Sequence, residues 1–303
     1  MSIAIGNKPA RIGLIAGWGR YPITVAKALR SSGHEVICCG IKGHADESLA
    51  EICNEFKWFG MAKLGGQLKF LRRHGVSDAT MAGKIFKTLL FQKFHLIRHL
   101  PDLTCLRHFW PVYVSKTKDR KDDTMLTIVT ELFGAGGVNM VPATDFAPEL
   151  LASEGVLTSL QPSQNQFKDI QFAWTLAKQM GLLDVGQSVA VKGRAVLAVE
   201  AVEGTDECIR RAGNLCSGGN FIVAKVAKPQ QDMRFDVPTV GISTIETMQE
   251  SGASILCIEA GKTIILDEPE FIAAANNARI AVLSLTDDSI QLSQNEHRPS
   301  IDG

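Results

Sequence analysis

The sequence predicts an α/β protein made of two successive α/β domains, the first Rossmann-like with a mostly parallel sheet, the second a smaller mixed α/β domain. Three observations carry that expectation. Short apolar runs bounded by glycine alternate with amphipathic stretches, the rhythm of a parallel sheet with helices on its faces. The alternation lapses where Pro142, Pro148 and Pro162 stand among polar residues, and then it restarts. The chain has 303 residues, which matches about two domains at roughly 150 residues each. The expected organisation is a first domain over 1–142, a linker over 143–165, a second domain over 166–286 and a disordered tail over 287–303.

In the first half, Arg11 to Gly17 is an apolar run that ends at glycine and reads as a buried strand. Pro22 opens a helix that runs to Ser32 before Gly33 stops it. Glu35 to Gly40 and Lys57 to Phe59 read as strands, Leu64 to His74 as a helix stopped by Gly75, and Ala79 to Gly83 as another strand. Phe86, Leu89, Leu90, Phe94, Ile97 and Leu100 then form an apolar stripe at helical spacing among Lys87, Lys93, His95, Arg98 and His99. Thr124 to Phe133 is helical, Gly134, Gly136 and Gly137 break the chain, and Val138 to Val141 is a closing strand.

The second half opens on a helix from Phe167 to Met180. Ser188 to Lys192 and Ala195 to Val199 flank Gly193-Arg194, a tight hairpin. Thr205 is positioned to cap a helix reaching Ala212. Phe221–Ala227, Ile255–Ile258, Thr263–Leu266 and Ile280–Leu285 read as strands, with helices over Ile245–Glu250 and Pro269–Asn277.

Composition narrows the function classes. Lys+Arg and Asp+Glu both number 32, a formal charge of zero that argues against a dedicated nucleic-acid binder. No run approaches the ~18 apolar residues of a spanning helix. The first ten residues lack the basic and apolar regions of a signal peptide, so a cytoplasmic protein is expected. The seven cysteines contain no C-x-x-C pair and several sit in strand-like runs, which fits reduced structural thiols.

Four motifs invite chemistry. Gly13-x-x-x-Gly17-x-Gly19 follows a strand and precedes a helix, a place for phosphate oxygens, yet Pro22 stands where a dinucleotide fingerprint needs its third glycine. Gly83-Lys84 fails as a P-loop, because Asp78 replaces the first glycine and Ile85 the Ser/Thr. His95 and His99 have zinc spacing, but a basic helical face is the better reading. The fourth is the densest. Glu200-Ala-Val-Glu203-Gly204-Thr205-Asp206 ends a strand and opens a helix bearing Arg210 and Arg211, and Lys228 to Gly241 adds Asp232, Arg234 and Asp236. Carboxylates at strand ends suit a hard divalent cation and the interspersed cations suit phosphates, the pairing that metal-assisted phosphoryl chemistry requires.

Leu14-Ile-Ala-Gly17-Trp-Gly19-Arg20-Tyr-Pro22, Asp122-Asp123-Thr-Met-Leu126, Asp184-Val-Gly186-Gln187, Val199-Glu200-Ala-Val-Glu203-Gly204-Thr205-Asp206 and Arg234-Phe-Asp236-Val-Pro238-Thr239-Val-Gly241 resemble, in order, the LpxI-type UDP-2,3-diacylglucosamine pyrophosphatases of lipid A biosynthesis. The resemblance runs from Ile12 to Leu285. It implies Mg2+-dependent hydrolysis of UDP-2,3-diacylglucosamine to UMP and 2,3-diacylglucosamine 1-phosphate (lipid X), by two α/β domains closing on the substrate. It places the family's essential aspartate on Asp236, with Asp206 as a second catalytic candidate and Asp236, Asp206 and Asp123 as metal ligands. Gly17, Gly19, Arg20, Asp123, Thr205, Arg210, Lys228, Arg234 and Thr239 are the candidate substrate contacts. Whether Asp236 ligates the metal or acts as general base stays open, since both roles need a carboxylate within hydrogen-bond reach. The segment from Gly83 to Lys121 is longer and more basic than the family pattern. It suggests peripheral contact of the Phe86–Leu100 face with the inner side of the inner membrane, and the assembly leaves a homodimer open. The alternatives of other classes are a nucleotide-cofactor oxidoreductase and a non-catalytic nucleotide-sugar or lipid binding protein.

Overall fold

The structure is a computed structural model that describes residues 10–85, 100–114, 122–234 and 237–295. Its described residues fall in two compact units, one drawn from Met1–Glu149 and Met233–Phe235, the other from Leu150–Asp232 and Asp236–Gly303. The apolar stripe from Phe86 to Ile97, with His95 and His99, lies outside the described residues.

The first unit is a five-stranded parallel sheet of β1 (Arg11–Ala16), β2 (Glu35–Ile41), β3 (Glu55–Phe59), β4 (Asp78–Ala82) and β5 (Asn139–Met140), in the order β3-β2-β1-β4-β5. Its central strands are buried on both faces, which is why β1 and β2 read as continuous apolar runs. The helices are α1 (Tyr21–Ser31), α2 (Leu49–Ile52), α3 (Leu64–Arg73), α4 (Leu103–Val114) and α5 (Asp122–Ala135). Leu64 and Leu71 of α3, Cys105 and Phe109 of α4, and Leu132 and Phe133 of α5 share one core with Ile15, Ile37 and Ala79 of the sheet. The chain runs from β1 outward through β2 to β3, then crosses back to place β4 on the other side of β1. That reversal makes the carboxyl ends of β1 and β4 a topological switch point, the place where open α/β sheets bind ligands.

The second unit carries six strands: β6 (Gly155–Val156), β7 (Ser188–Lys192), β8 (Ala195–Val199), β9 (Phe221–Lys225), β11 (Ala253–Glu259) and β13 (Ala281–Leu285), in the order β6-β13-β11-β9-β7-β8. β9, β11 and β13 are parallel, while β6, β7 and β8 make the antiparallel contacts. A separate two-stranded parallel ribbon joins β10 (Thr239–Val240) to β12 (Ile264–Ile265). The sheet is mixed because β7 and β8 form the expected hairpin. Gly193 and Arg194 both take left-handed φ, 59° and 60°, as a type I′ turn demands. The Asp169 carboxylate accepts both turn N–H groups at 2.7 and 2.9 Å. Asp169 belongs to α6 (Gln164–Leu182), which packs with α10 (Asp287–Asn295) on one side of the sheet. The other core gathers α7 (Thr205–Leu215), α8 (Ile242–Ser251) and α9 (Glu268–Asn277).

Two segments differ from the sequence expectation. The stretch expected as linker holds 3-10 turns at Ala143–Asp145 and Pro148–Leu150, and β6 pairs with β13, so part of it belongs to the second sheet. The tail expected to be disordered begins with α10. Ile290 is 4% exposed in the core, and Trp174 donates its indole N–H to Asp287 at 2.7 Å, two anchors that a polar segment conceals.

Candidate active site

Two places, one per unit, gather the residues singled out by sequence. In the first unit the loop after β1 is tied to the end of β4. Gly17 N–H donates to Ala82 O at 2.8 Å, Trp18 N–H to Lys84 O at 2.8 Å, and Lys84 N–H returns to Trp18 O at 2.9 Å. A Cβ on Gly17 would lie 2.7 Å from Lys84 O, and one on Gly83 (φ +92°) would lie 2.7 Å from Pro22 Cγ. The glycines therefore serve close backbone approach. The N–H groups of Gly17 and Trp18 are already engaged, so this loop does not offer them to phosphate oxygens as the sequence suggested. Gly19 takes φ +105°, which glycine adopts without steric cost. Arg20, Trp18 and Lys84 are exposed. Arg20 reaches Asp46, whose carboxyl lies below the ordinary range because Ser48 hydrogen-bonds it and, further, because the Arg20 guanidinium attracts it. Pro22 in the first turn of α1 leaves no third glycine, in line with the failed dinucleotide fingerprint.

In the second unit the register explains why distant motifs converge. Ser188 pairs with Lys225, and Val189 with both Ala224 and Val199, so the start of β7 and the end of β8 lie beside the carboxyl end of β9. Glu200 follows β8 there and is 8% exposed. Thr205 does not cap α7. Gly204 is the N-cap with φ +87°, a conformation costly for other residues, and the Thr205 hydroxyl instead donates to Glu200 Oε1 at 3.1 Å. Ser188 Oγ stands 3.3 Å from the same hydroxyl. A Cβ on Gly186 would meet Glu200 O at 2.0 Å, so only glycine lets the two segments touch. Gln187 O accepts from Val226 N–H at 3.0 Å, which ties the motif Asp184-Val-Gly186-Gln187 to the segment leaving β9.

That segment, 226–241, carries Lys228, Arg234, Asp236 and Thr239, and it is anchored near both ends. Ala227 N–H donates to Glu259 Oε2 at 2.8 Å at one end. Lys225, 8% exposed, donates to Thr239 O at 2.9 Å at the other. Glu259 is 2% exposed at the carboxyl end of β11, and it also binds Lys178 at 2.6 Å and Lys262 at 2.8 Å. Sequence reasoning passed over Lys225 and Glu259, although a charged residue closing a wholly apolar strand was a visible signal.

The remaining candidates are placed as follows. Asp206 is half-buried in the first turn of α7, near the positive end of the helix dipole. Arg210 lies farther along α7, exposed and paired with Glu207, and none of its hydrogen bonds joins it to the Glu200 cluster. Arg211 does reach the strand end, donating to Val199 O at 2.7 Å and to Glu203. Glu203 lies below the ordinary carboxylate range through hydrogen bonding to its own backbone N–H and to Arg211. Lys228 is half-buried and paired with Asp184 at 2.8 Å. Thr239 donates its hydroxyl to Val237 O, and Arg234 is half-buried. Asp123 is the second residue of α5, with its side chain outside the described residues, and Asp236 lies outside them as well.

No group of three or more His, Cys, Asp or Glu side chains among the described residues could hold a metal ion. The donor chemistry nonetheless suits a hard cation. Glu200 Oε2 and Gln187 Oε1 are buried oxygens with no hydrogen-bond partner among the described residues. Magnesium characteristically takes one or two protein carboxylates and completes its shell with water and substrate phosphates.

Comparison with known proteins adds the lineage. Residues 11–150 match the LpxI N-terminal domain and residues 153–283 the LpxI C-terminal domain, a division that falls at the boundary between the two units. The chain is also 30% identical over 282 residues to the UDP-2,3-diacylglucosamine pyrophosphatase LpxI of Caulobacter vibrioides, covering 91% of this chain and 97% of that one. Matched across both halves and nearly end to end, the chain belongs to the LpxI family.

Proposed function

We propose that the protein hydrolyses the pyrophosphate bond of UDP-2,3-diacylglucosamine to UMP and 2,3-diacylglucosamine 1-phosphate, a reaction of lipid A biosynthesis. The observation that carries this reading is the near full-length match to a relative named for that activity. Water attacks one phosphorus directly, the bridging P–O bond breaks, and two protons are released as both products become phosphate monoester dianions. Bound magnesium would neutralise charge on the phosphate oxygens, with Asp236, Asp206 and Asp123 as its proposed ligands.

The chain's own residues supply position and charge. Asp236 either holds the metal or orients the attacking water as general base. Lys228 and Arg234 on the 226–241 segment, and Arg210 on α7, provide cations for the phosphates. Thr205 and Thr239 offer hydroxyls, Thr205 also orienting Glu200. Gly19 and Arg20 are proposed substrate contacts, and Gly17 keeps that loop against β4. A covalent enzyme intermediate is not required, because water itself is the nucleophile.

No helix among the described residues is long and apolar enough to cross a membrane. A lipid substrate suits a protein that works at the cytoplasmic side of the inner membrane by peripheral contact. The test is incubation of the purified protein with UDP-2,3-diacylglucosamine and magnesium, with products identified by mass. UMP and the sugar 1-phosphate are expected. Unchanged substrate would mean a binding protein, and UDP with free sugar would mean cleavage at the glycosidic bond.

A further inference from the structure

The helical layer of the first unit carries a groove lined by residues of α3, α4 and α5. It consists of adjoining hollows of about 400 and about 330 Å³ that share Leu68 and Thr104. The helices meet closely beneath it. A Cβ on Gly65 would lie 2.5 Å from Thr104 Oγ1, and one on Gly136 2.2 Å from Leu68 Cδ2. Leu68, Leu132 and Ala135 give it an apolar floor, while Lys69, Arg72 and Arg73 of α3 and Arg107 of α4 rim it.

These four cations are exposed, and among the described residues none of the four is in an ion pair. The carboxylate beside Gly65, that of Asp102, accepts from the Gly66 and Cys105 N–H groups. Arg72 and Arg73 gain something from the C-terminal dipole of α3. Lys69 and Arg107 have no such reason to be there. In a chain whose charges sum to zero, a rim of unpaired cations is a local excess that repels itself until an anion covers it. Leu103 and Leu106, 82% and 46% exposed, share the outward face of α4 with Arg107, at the i, i+3 and i, i+4 spacings that place them side by side.

We infer that the groove between α3 and α4 docks the protein on anionic phospholipid, the four cations meeting headgroup phosphates while Leu103 and Leu106 enter the acyl boundary. Apolar side chains beside cations suit a lipid surface better than a nucleic acid, which would reward stacking aromatics, or a soluble anion, which gains nothing from leucine. This rests on the reading of a peripheral lipid enzyme, and it assigns the contact to a surface other than the Phe86–Leu100 face.

Co-sedimentation with phosphatidylcholine vesicles, with and without phosphatidylglycerol, tests it, alongside hydrolysis of detergent-dispersed substrate. Wild type should bind only the anionic vesicles and come off at high salt. Each cation near an anionic surface strengthens binding about fivefold, so the triple variant Lys69→Gln, Arg72→Gln, Arg107→Gln should lose roughly a hundredfold. Leu103→Ser with Leu106→Ser should weaken binding also, and Lys168→Gln on α6 should not. Hydrolysis in detergent should stay at the wild-type rate in all of them. Wild-type vesicle binding by the triple variant would overturn the groove while leaving a membrane enzyme intact. Failure of wild type to bind any vesicle, or its release by millimolar inorganic phosphate alone, would overturn lipid docking. Loss of detergent-phase hydrolysis in the folded triple variant would instead make the groove part of the substrate site. Failure of wild type to hydrolyse the substrate, with vesicle binding intact, would overturn the enzyme reading alone.

Discussion

At the scale of single residues, the roles divide between chemistry and close packing. Gly17 belongs to packing. Gly17→Ala forces a methyl to within 2.7 Å of Lys84 O, and overpacking of that kind costs about 1–3 kcal/mol, so a drop in thermal midpoint together with a raised KM is expected. An unchanged melting curve would contradict the contact. The cysteines belong to packing too: all seven are free and six are buried. Burial pushes the Cys105 thiol up to about 11 and the Cys208 thiol up to about 12, which keeps them protonated and poorly nucleophilic near neutral pH. Iodoacetamide at pH 7.5 should therefore label the half-buried Cys216 first, as peptide mapping would reveal; equal labelling of Cys208 would refute its burial. Under the proposed role of Asp236 in the chemistry, its loss should lower turnover by about a hundred- to ten-thousand-fold while intact substrate still binds. A folded Asp236→Ala protein within a few-fold of wild type would remove it from the mechanism. Asp236 was singled out by the motif around it, and it lies outside the described residues. Thr205 was misread as a cap because Gly204, with positive φ, takes that position and frees the hydroxyl for Glu200.

At the scale of elements, the segment after β9 depends on two buried charges. Glu259 accepts from Ala227 N–H, Lys178 and Lys262, so Glu259→Leu leaves the Ala227 N–H without its acceptor and Lys178 with Asp287 alone at 3.8 Å, and should cost about 1–3 kcal/mol by chemical denaturation. Glu259→Gln keeps the shape, and in it kcat should fall more than KM rises, because the segment loses alignment rather than substrate contacts. Equal stability of wild type and Glu259→Leu would show that the clamp is not formed. The same logic applies to α10, where Ile290→Ala should cost about 2–5 kcal/mol if the helix is docked and nothing if the tail is loose. Most strands and helices were legible, because fully buried strands print their apolar runs directly into the sequence, whereas the short β6 and β10 and the helices α2, α4 and α10 were not expected as such. The clamps were not. Which strand end Lys225 or Glu259 meets depends on sheet order, and β9 sits between β7 and β11 for reasons that no local pattern encodes. The docking of α10 was hidden because one buried isoleucine carries it among polar neighbours.

At the scale of the molecule, two α/β units of different topology each present the carboxyl ends of parallel strands, and each set of ends collects residues from separated motifs. The first does so at the reversal between β1 and β4, the second where β7 and β8 run back beside β9. This is why the motifs are far apart in the chain yet few in kind: glycines where backbones approach, carboxylates and cations where strands end. The balance of charge argued against a nucleic-acid binder, but it concealed the cationic groove, since a net sum carries no information about faces. The account stands or falls on metal-assisted hydrolysis by this arrangement. Turnover of UDP-2,3-diacylglucosamine, followed as UMP released, should vanish in excess EDTA and return when magnesium is added beyond the chelator; undiminished release of UMP in excess EDTA would contradict it.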